Sequence, residues 1–197
     1  MINIITSVHK IPSFIELRHL ELLRALDLDG KRVLELSSGL IDEGSEEGLI
    51  DEGSEEYSKY DAAMIYLAYY FIPENLISFL ASFKSKVQRL VLVEDLAMNR
   101  LTEKIFQVRE IIFPNYATNI QRLTSQLENI GFKKVERKIW KSQIPLSEDE
   151  VAWEIGVLNR IALERKIDLS SELQELITIY HTSSPVYKYF IIHNYFI

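Results

Sequence analysis

The sequence predicts an α/β protein with a mostly parallel sheet and helices on both faces. Two short segments, 61–67 and 89–94, are apolar almost throughout, which is typical of strands that are buried on both faces. Segments with helical spacing of apolar residues separate the strands, and this alternation favours parallel strands joined by helical crossovers. The length of 197 residues suits one domain, so we expect residues 1–197 to form a single domain.

The first half of the chain begins with a helix and a short strand. Ser13 and Glu16 have the spacing of a capping box, and the leucines that follow predict a helix to about Leu26. Residues 32–36 form a short apolar run, which predicts the first strand. Pro73 follows the second strand and is placed to begin another helix.

The second half of the chain predicts four more helices and two more strands. Residues 101–130 have a helical pattern that is broken near Pro114, and Gly131 is placed to end the second of these helices. Alternation over 133–141 predicts a strand with one wetter face.

A helical insertion at 147–181 is predicted before the last strand. Two capping boxes predict where its helices begin: Ser147 with Glu150, and Ser171 with Gln174. The first of these helices is expected to end near Arg165. Residues 187–196 are aromatic and β-branched, which predicts a strand that closes the sheet.

Composition excludes several classes of protein. Cysteine is absent, so the chain forms no disulfide and has neither a thiolate zinc site nor a cysteine nucleophile. No stretch approaches the roughly 18 consecutive apolar residues of a membrane span. Residues 1–10 lack the features of a secretory signal. We therefore expect a cytoplasmic protein that does not enter a membrane.

The acidic charge of the chain is concentrated in a tandem repeat. Residues 39–47 and 48–56 are identical copies of Gly-Leu-Ile-Asp-Glu-Gly-Ser-Glu-Glu and hold eight of the 29 acidic residues and no base. The remaining 21 acids face 22 bases, so the rest of the chain is nearly neutral. The nine-residue period places the two Leu–Ile pairs on opposite faces of a helix or strand, so we expect a surface loop. An acidic clamp for a cation or a basic partner is the alternative.

Patterns for nucleic-acid or metal binding are weak. The net charge of −7 argues against binding to nucleic acid. Five bases near Trp140 form a strip that we interpret as a solvated strand face, with RNA contact as the alternative. These bases are Lys133, Lys134, Arg137, Lys138 and Lys141. The four histidines lack the spacing of metal ligands, so no metal site is expected, and neither a nucleophile elbow nor a phosphate loop is present.

Residues 31–39, Lys-Arg-Val-Leu-Glu-Leu-Ser-Ser-Gly, resemble the first strand and cofactor loop of the class I S-adenosylmethionine-dependent methyltransferases. The family pattern is acid-x-Gly-x-Gly-x-Gly, and here it reads Glu35-x-Ser37-x-Gly39-x-Ile41, so one of three glycines remains. Four later segments are similar to the family's fourth strand and loop, fifth strand, helix with Gly-Phe turn and sixth strand, and seventh strand. They are 60–74, 90–95, 127–135 and 189–193. The likeness is to the small-molecule branch and covers most of the chain.

The resemblance implies a shortened Rossmann-like methyltransferase sheet in three layers. Only 24 residues run from Ser37 to Tyr60, whereas two βα units need about 30 residues each. The family's second and third strands therefore have no place, and the resemblance implies about five strands in the order one, four, five, seven, six, with the last strand antiparallel. The edge beside strand one would lack its usual cover, so we expect a homodimer or a heteromeric partner there.

The resemblance also implies the site residues and the cofactor, S-adenosylmethionine. The residues expected to bind the cofactor are Glu35, Ser37, Ser38, Gly39 and Asp61. The candidates for the acceptor pocket are Tyr66, Tyr69, Tyr70 and Glu94. No catalytic residue is assigned, because methyl transfer needs mainly alignment of donor and acceptor. The missing strands normally carry the ribose and adenine contacts, so a non-catalytic scaffold or partner subunit is the alternative.

Overall fold

A computed structural model describes residues 13–37, 60–66, 73–114, 116–183 and 185–197. The first half of the chain contains helix α1 (Ser13–Ala25), strands β1 (Val33–Ser37) and β2 (Ala62–Tyr66), helix α2 (Pro73–Phe83) and strand β3 (Arg89–Leu96). The second half contains helices α3 (Arg100–Ile112) and α4 (Tyr116–Asn129), strand β4 (Lys133–Pro145), helices α5 (Glu148–Glu164) and α6 (Ser170–Ser183), and strand β5 (Tyr187–Phe196). The tandem repeat at 39–56 lies outside the described residues.

The five described strands form one sheet in the order β1-β2-β3-β5-β4. Strands β1, β2 and β3 are parallel, while β5 runs antiparallel to both β3 and β4. This order confirms the one that the family resemblance implies, including its antiparallel last strand. It leaves β1 and β4 as the two edges of the described sheet.

Helices cover both faces of the sheet, as the α/β pattern predicts. Helices α2 and α4 pack on one face, where their apolar side chains meet Leu34, Ile65, Leu92 and Tyr195 of the strands. Helix α1 packs on the other face, against a second set of strand residues. That set is Val33, Ala62, Met64, Val91, Val93, Phe190 and Ile192. Burial of both faces explains why the central strands are apolar throughout.

The helical insertion forms a third hydrophobic core beside the sheet. Helices α5 and α6 pack with α3 around a set of buried aliphatic side chains that includes Leu101, Val108, Leu158 and Leu176. None of the helices in the described ranges has both the length and the apolar character needed to cross a membrane.

Two of the predicted helix boundaries are confirmed and one is wrong. The hydroxyl of Ser147 accepts a hydrogen bond from the backbone of Glu150 at 3.2 Å, so Ser147 caps α5. Gly131 follows α4 with a φ of 92°, which suits a glycine that ends a helix. Ser171 lies inside α6 and does not cap it, because α6 begins at Ser170. The carboxylate of Asp168 instead accepts hydrogen bonds from the backbone and hydroxyl of Ser170, at 3.0 and 2.6 Å.

Strand β4 is longer than the pattern of the sequence predicts. The alternation indicates a strand that ends at Lys141, whereas β4 continues to Pro145. The extension is held by the side chains of α1, since the carboxylate of Glu21 accepts hydrogen bonds from the hydroxyl of Ser142 and the backbone of Gln143. These partners are more than 100 residues apart in the chain, so no local pattern reports them.

Candidate functional site

The carboxyl ends of β1, β2 and β3 lie at one edge of the sheet. Ser37 pairs with Tyr66, and Tyr66 pairs with Val93, so the three strands reach this edge in register. Open α/β sheets bind ligands outside the carboxyl ends of their strands. This edge, called the carboxyl edge below, is therefore the candidate site.

Four of the predicted site residues lie at the carboxyl edge. Ser37 and Tyr66 are the last residues of β1 and β2. Glu35 lies two residues before the end of β1, beside Met64. Glu94 follows Val93 in β3, and only 4% of its surface is exposed. The structure thus brings together residues that are up to about 60 positions apart in the sequence.

The remaining predicted residues are not part of this described group. Ser38, Gly39, Tyr69 and Tyr70 lie outside the described residues. Asp61 precedes β2, where its carboxylate accepts a hydrogen bond from the backbone N–H of Arg32 at 2.8 Å. Asp61 therefore lies at the amino edge of the sheet, about 16 Å from the carboxyl edge at 3.3 Å per residue. We leave it out of the site proposed below.

A buried cluster of four charged side chains lies next to Glu94, on the opposite face of the sheet. Arg109 of α3 forms an ion pair with Asp95 at 2.8 Å and a second one with Glu154 of α5. Lys188 of β5 lies 3.4 Å from Glu154 and 4.0 Å from Asp95. All four side chains are more than nine-tenths buried.

The members of this cluster hold one another in the charged state. Burial alone would raise the pKa of Glu154, but the charges and hydrogen bonds of Arg109 and Lys188 outweigh burial and lower it. Burial alone would lower the pKa of Lys188, but Asp95, Glu154 and Glu150 outweigh burial and raise it. The cluster therefore joins β3, α3, α5 and β5 by charge–charge contacts immediately behind the candidate site.

A second buried network ties the insertion to α1 and β4. The guanidinium of Arg18 binds the carboxylate of Glu150 through two hydrogen bonds of 2.6 and 2.7 Å, and it donates a third to the hydroxyl of Ser142 at 2.5 Å. Bidentate pairs of this kind fix relative orientation as well as distance. Helix α5 is therefore anchored both to the end of β3 and to the far edge strand of the sheet.

A cleft of about 210 Å³ opens at the same edge, beside the end of β3. Because β5 is antiparallel, its first residues lie next to the last residues of β3, and Leu96 pairs with Tyr189. The lining residues are Met98, Asn99, Arg100, Ser183, Pro185, Val186, Tyr187 and Tyr189. The ammonium group of Lys141 lies 4.3 Å from the ring centroid of Tyr187. Sequence reasoning identified Tyr187 only as the start of a strand and missed this cleft.

No metal site is apparent in the described part of the chain, where no group of three or more His, Asp or Glu side chains is arranged to hold a metal ion. His193, one of the four histidines, is buried within the sheet with 8% of its surface exposed. Trp140 packs on Phe190, with ring centroids 5.5 Å apart. Its ring is thus engaged within the protein.

Comparison with known proteins gives structural similarity only. No family model and no curated protein matches the chain. A cyclopropane-fatty-acyl-phospholipid synthase-like protein from Lactobacillus casei ATCC 334 is 16% identical with a TM-score of 0.46, over 71% of this chain and 57% of that one. A methyltransferase candidate from Bacillus halodurans C-125 is 12% identical with a TM-score of 0.34, over 70% of each chain. This chain thus spans little more than half the length of the first protein.

The fold is a Rossmann-like α/β sheet similar to that of methyltransferases. The strand order carries this assignment, because the identities above are too low to indicate more than a shared architecture. The order differs from the two common doubly wound orders by having an antiparallel strand, β5, between β3 and β4.

Proposed function

We propose that the chain is an S-adenosylmethionine-dependent methyltransferase-like protein that transfers a methyl group to a small molecule or a macromolecule. The observation that supports this function is the sheet order β1-β2-β3-β5-β4, with the antiparallel β5 in the position that the resemblance implies. The carboxyl ends of three parallel strands meet in register at one edge, which is where such a fold binds its ligands.

In this proposal the end of β1 holds the cofactor and the end of β3 faces the acceptor. Glu35 and the backbone from Ser37 to Gly39 would bind the amino-acid portion of S-adenosylmethionine. The described residues fit this portion, since β1 ends at Ser37 and carries an acid two residues earlier. The cofactor supplies an activated methyl group, so the work of the chain is to hold donor and acceptor in line.

The acceptor would lie between the end of β2 and the cleft at the start of β5. Tyr66, Tyr69, Tyr70 and Glu94 are the proposed lining residues, and the cleft adds Tyr189 and Arg100. Tyrosine rings bind flat apolar groups, and Arg100 suits an acceptor that carries negative charge.

A non-catalytic scaffold or partner subunit is the second candidate. It is favoured by the 24 residues from Ser37 to Tyr60, which leave no room for the two βα units that support ribose and adenine in the family. Each lost hydrogen bond removes about 0.5–1.5 kcal/mol, and each 1.4 kcal/mol lowers affinity about tenfold. A homodimer or heteromeric partner at the β1 edge is proposed for either function, because β1 has no described strand on its outer side.

Calorimetric titration with S-adenosylmethionine and S-adenosylhomocysteine tests cofactor binding directly. We expect binding in the wild type and at least a tenfold weaker affinity in Glu35→Ala. Glu164→Ala is the matched control, because Glu164 is exposed at the end of α5 in the insertion. Circular dichroism of both variants checks that they fold. If neither ligand binds the wild-type chain, the methyltransferase function is wrong and the scaffold is favoured.

A further inference from the structure

Strand β4 is a long edge strand with a free side. It spans 13 residues, Lys133–Pro145, and pairs with β5 alone among the described strands. Most of its side chains are exposed. Such an edge presents a row of backbone N–H and C=O groups to which another extended segment can bind.

Three bases and one apolar side chain share a face of this strand. Lys134 lies opposite Tyr195, Arg137 opposite His193 and Lys141 opposite Tyr189, and these β5 residues alternate along one face of the sheet. Ile139 lies between the last two bases, opposite Ile191. The register shift between Lys134 and Glu136 keeps Lys134 and Arg137 on this same face, called the basic face below.

The acidic residue of this stretch does not neutralise the basic face. Glu136 lies opposite Asn194, and its carboxylate accepts a hydrogen bond from the side chain of Asn194 at 2.8 Å. Adjacent residues in a strand point to opposite faces, so Glu136 is directed away from Arg137. The basic face therefore keeps its positive charge.

Lysines and a bulge on an edge strand commonly prevent unwanted pairing, yet β4 also exposes β-branched apolar residues. Val135 is 65% exposed and Ile139 is 59% exposed. Trp140 is half-buried against Phe190, so it provides no free ring on which a nucleic-acid base could stack. A basic and apolar edge with no aromatic platform fits an acidic peptide better than RNA.

We propose that the acidic repeat at 39–56 of a second copy of this chain binds along the free edge of β4 as an added strand. The repeat carries eight acids and no base, which complements the basic face. Each nine-residue copy also holds a Leu–Ile pair. Because neighbours in a strand face opposite sides, one member of each pair meets the side of the sheet that carries Ile139.

Chain length favours a second copy over the same molecule. Strands β1 and β4 are opposite edges of the sheet, four strand spacings or about 19 Å apart. The 22 residues from 38 to 59 begin at the end of β1 and return to β2. Two crossings of that width take about 12 residues at 3.3–3.6 Å each, so the 18-residue repeat cannot lie along its own β4. Two copies can exchange repeats about a two-fold axis and form a closed dimer.

The mass in solution tests this proposal without any substitution. Light scattering after size-exclusion chromatography of the full chain is expected to show a dimer at about 50 mM salt. The dissociation constant is expected to rise at least tenfold at about 500 mM salt, because salt screens the contact between acids and bases. A monomer at every protein concentration up to about 100 μM, or a dimer that is indifferent to salt, overturns the proposal.

Charge reversal tests which surface is used. A Lys133→Glu, Lys134→Glu, Arg137→Glu variant is expected to dissociate at least tenfold more readily than the wild type. The matched control reverses three exposed bases elsewhere, Lys31, Arg160 and Lys166, and changes the net charge equally. Equal weakening in both variants would show an effect of net charge alone and overturn the proposal. Thermal melting of both variants checks that they fold.

Exchange of charges tests direct contact. A second variant carries Asp42→Lys, Glu43→Lys, Asp51→Lys and Glu52→Lys in the repeat. Mixing it with the charge-reversed β4 variant is expected to restore a dimer that neither forms alone, and failure to restore one overturns the proposal. Binding of oligouridylate to β4 that a synthetic peptide of residues 39–56 does not displace would assign the surface to RNA instead.

Discussion

The guanidinium of Arg109 lies 2.8 Å from the carboxylate of Asp95, and both side chains are almost wholly buried. Asp95 directly follows Glu94 at the end of β3, while Arg109 belongs to α3. The same guanidinium contacts Glu154 of α5. The end of the strand that bears Glu94 is thus fixed from behind by the helical insertion, so the shape of the candidate site depends on residues that do not line it.

Arg109→Met is expected to destabilise the protein by about 3–5 kcal/mol, because it leaves two buried carboxylates without their shared cation. Arg24→Met is the control, since its ion pair with Asp29 at 3.4 Å is exposed and contributes at most about 1 kcal/mol. Urea denaturation followed by circular dichroism measures both free energies of unfolding. Similar losses in the two variants would contradict the structural role of the cluster.

Ser147→Ala is expected to lower the free energy of unfolding by about 1 kcal/mol, because it removes the hydroxyl that caps α5. Ser171→Ala has the same chemistry inside α6, where the change is expected to stay within about 0.5 kcal/mol. The two serines precede similar sequences, so the comparison separates a real cap from an apparent one. A larger loss at Ser171 than at Ser147 would contradict the helix boundaries.

The sequence predicts those parts of the fold that depend on local pattern. Continuous apolar runs identify β2 and β3, since strands buried on both faces need no polar alternation. The cap of α6 is missed because Asp168 and Ser171 offer competing oxygens within three residues, and the sequence does not rank them. The order of strands comes from the family resemblance and not from periodicity.

The sequence does not predict the two buried charge networks. Asp95, Arg109, Glu154 and Lys188 come from four elements spread over more than 90 residues, and each reads as an ordinary surface charge. Only the packing of the insertion on β3 brings them together. The cleft beside Tyr189 is missed for the same reason, since it forms where the start of β5 meets the end of β3.

Gly131→Ala is expected to destabilise the protein by about 1–2 kcal/mol. Its φ of 92° disfavours a side chain, and an added Cβ would lie 2.3 Å from the ammonium group of Lys84, which donates a hydrogen bond to the carbonyl of Ile130. Gly30→Ala is the control, because Gly30 has a φ of 75° but no neighbour within 4 Å. Thermal and urea denaturation should show the larger loss at Gly131, and the difference should shrink in a Lys84→Ala background.

The pH dependence of stability is expected to report on His193. Burial, together with the charges of Lys134 and Arg137, lowers the pKa of His193 to about 4. The same group titrates near 6.5 in an unfolded chain. Between these two values the unfolded chain binds a proton that the native chain does not, so stability falls as the pH is lowered through this window.

The measurement compares urea denaturation of the wild type and His193→Phe at pH 7.0, 5.5 and 4.5. Carboxylates contribute to both proteins alike, so the wild type should lose more stability than the variant as the pH falls, because only the wild type carries this buried imidazole. Titration of the imidazole by NMR gives the pKa of His193 directly. The repeat peptide, bound along the basic face, should raise that pKa by neutralising Lys134 and Arg137. Parallel stability profiles, or a midpoint near 6.5, would show that His193 is not buried beneath these bases.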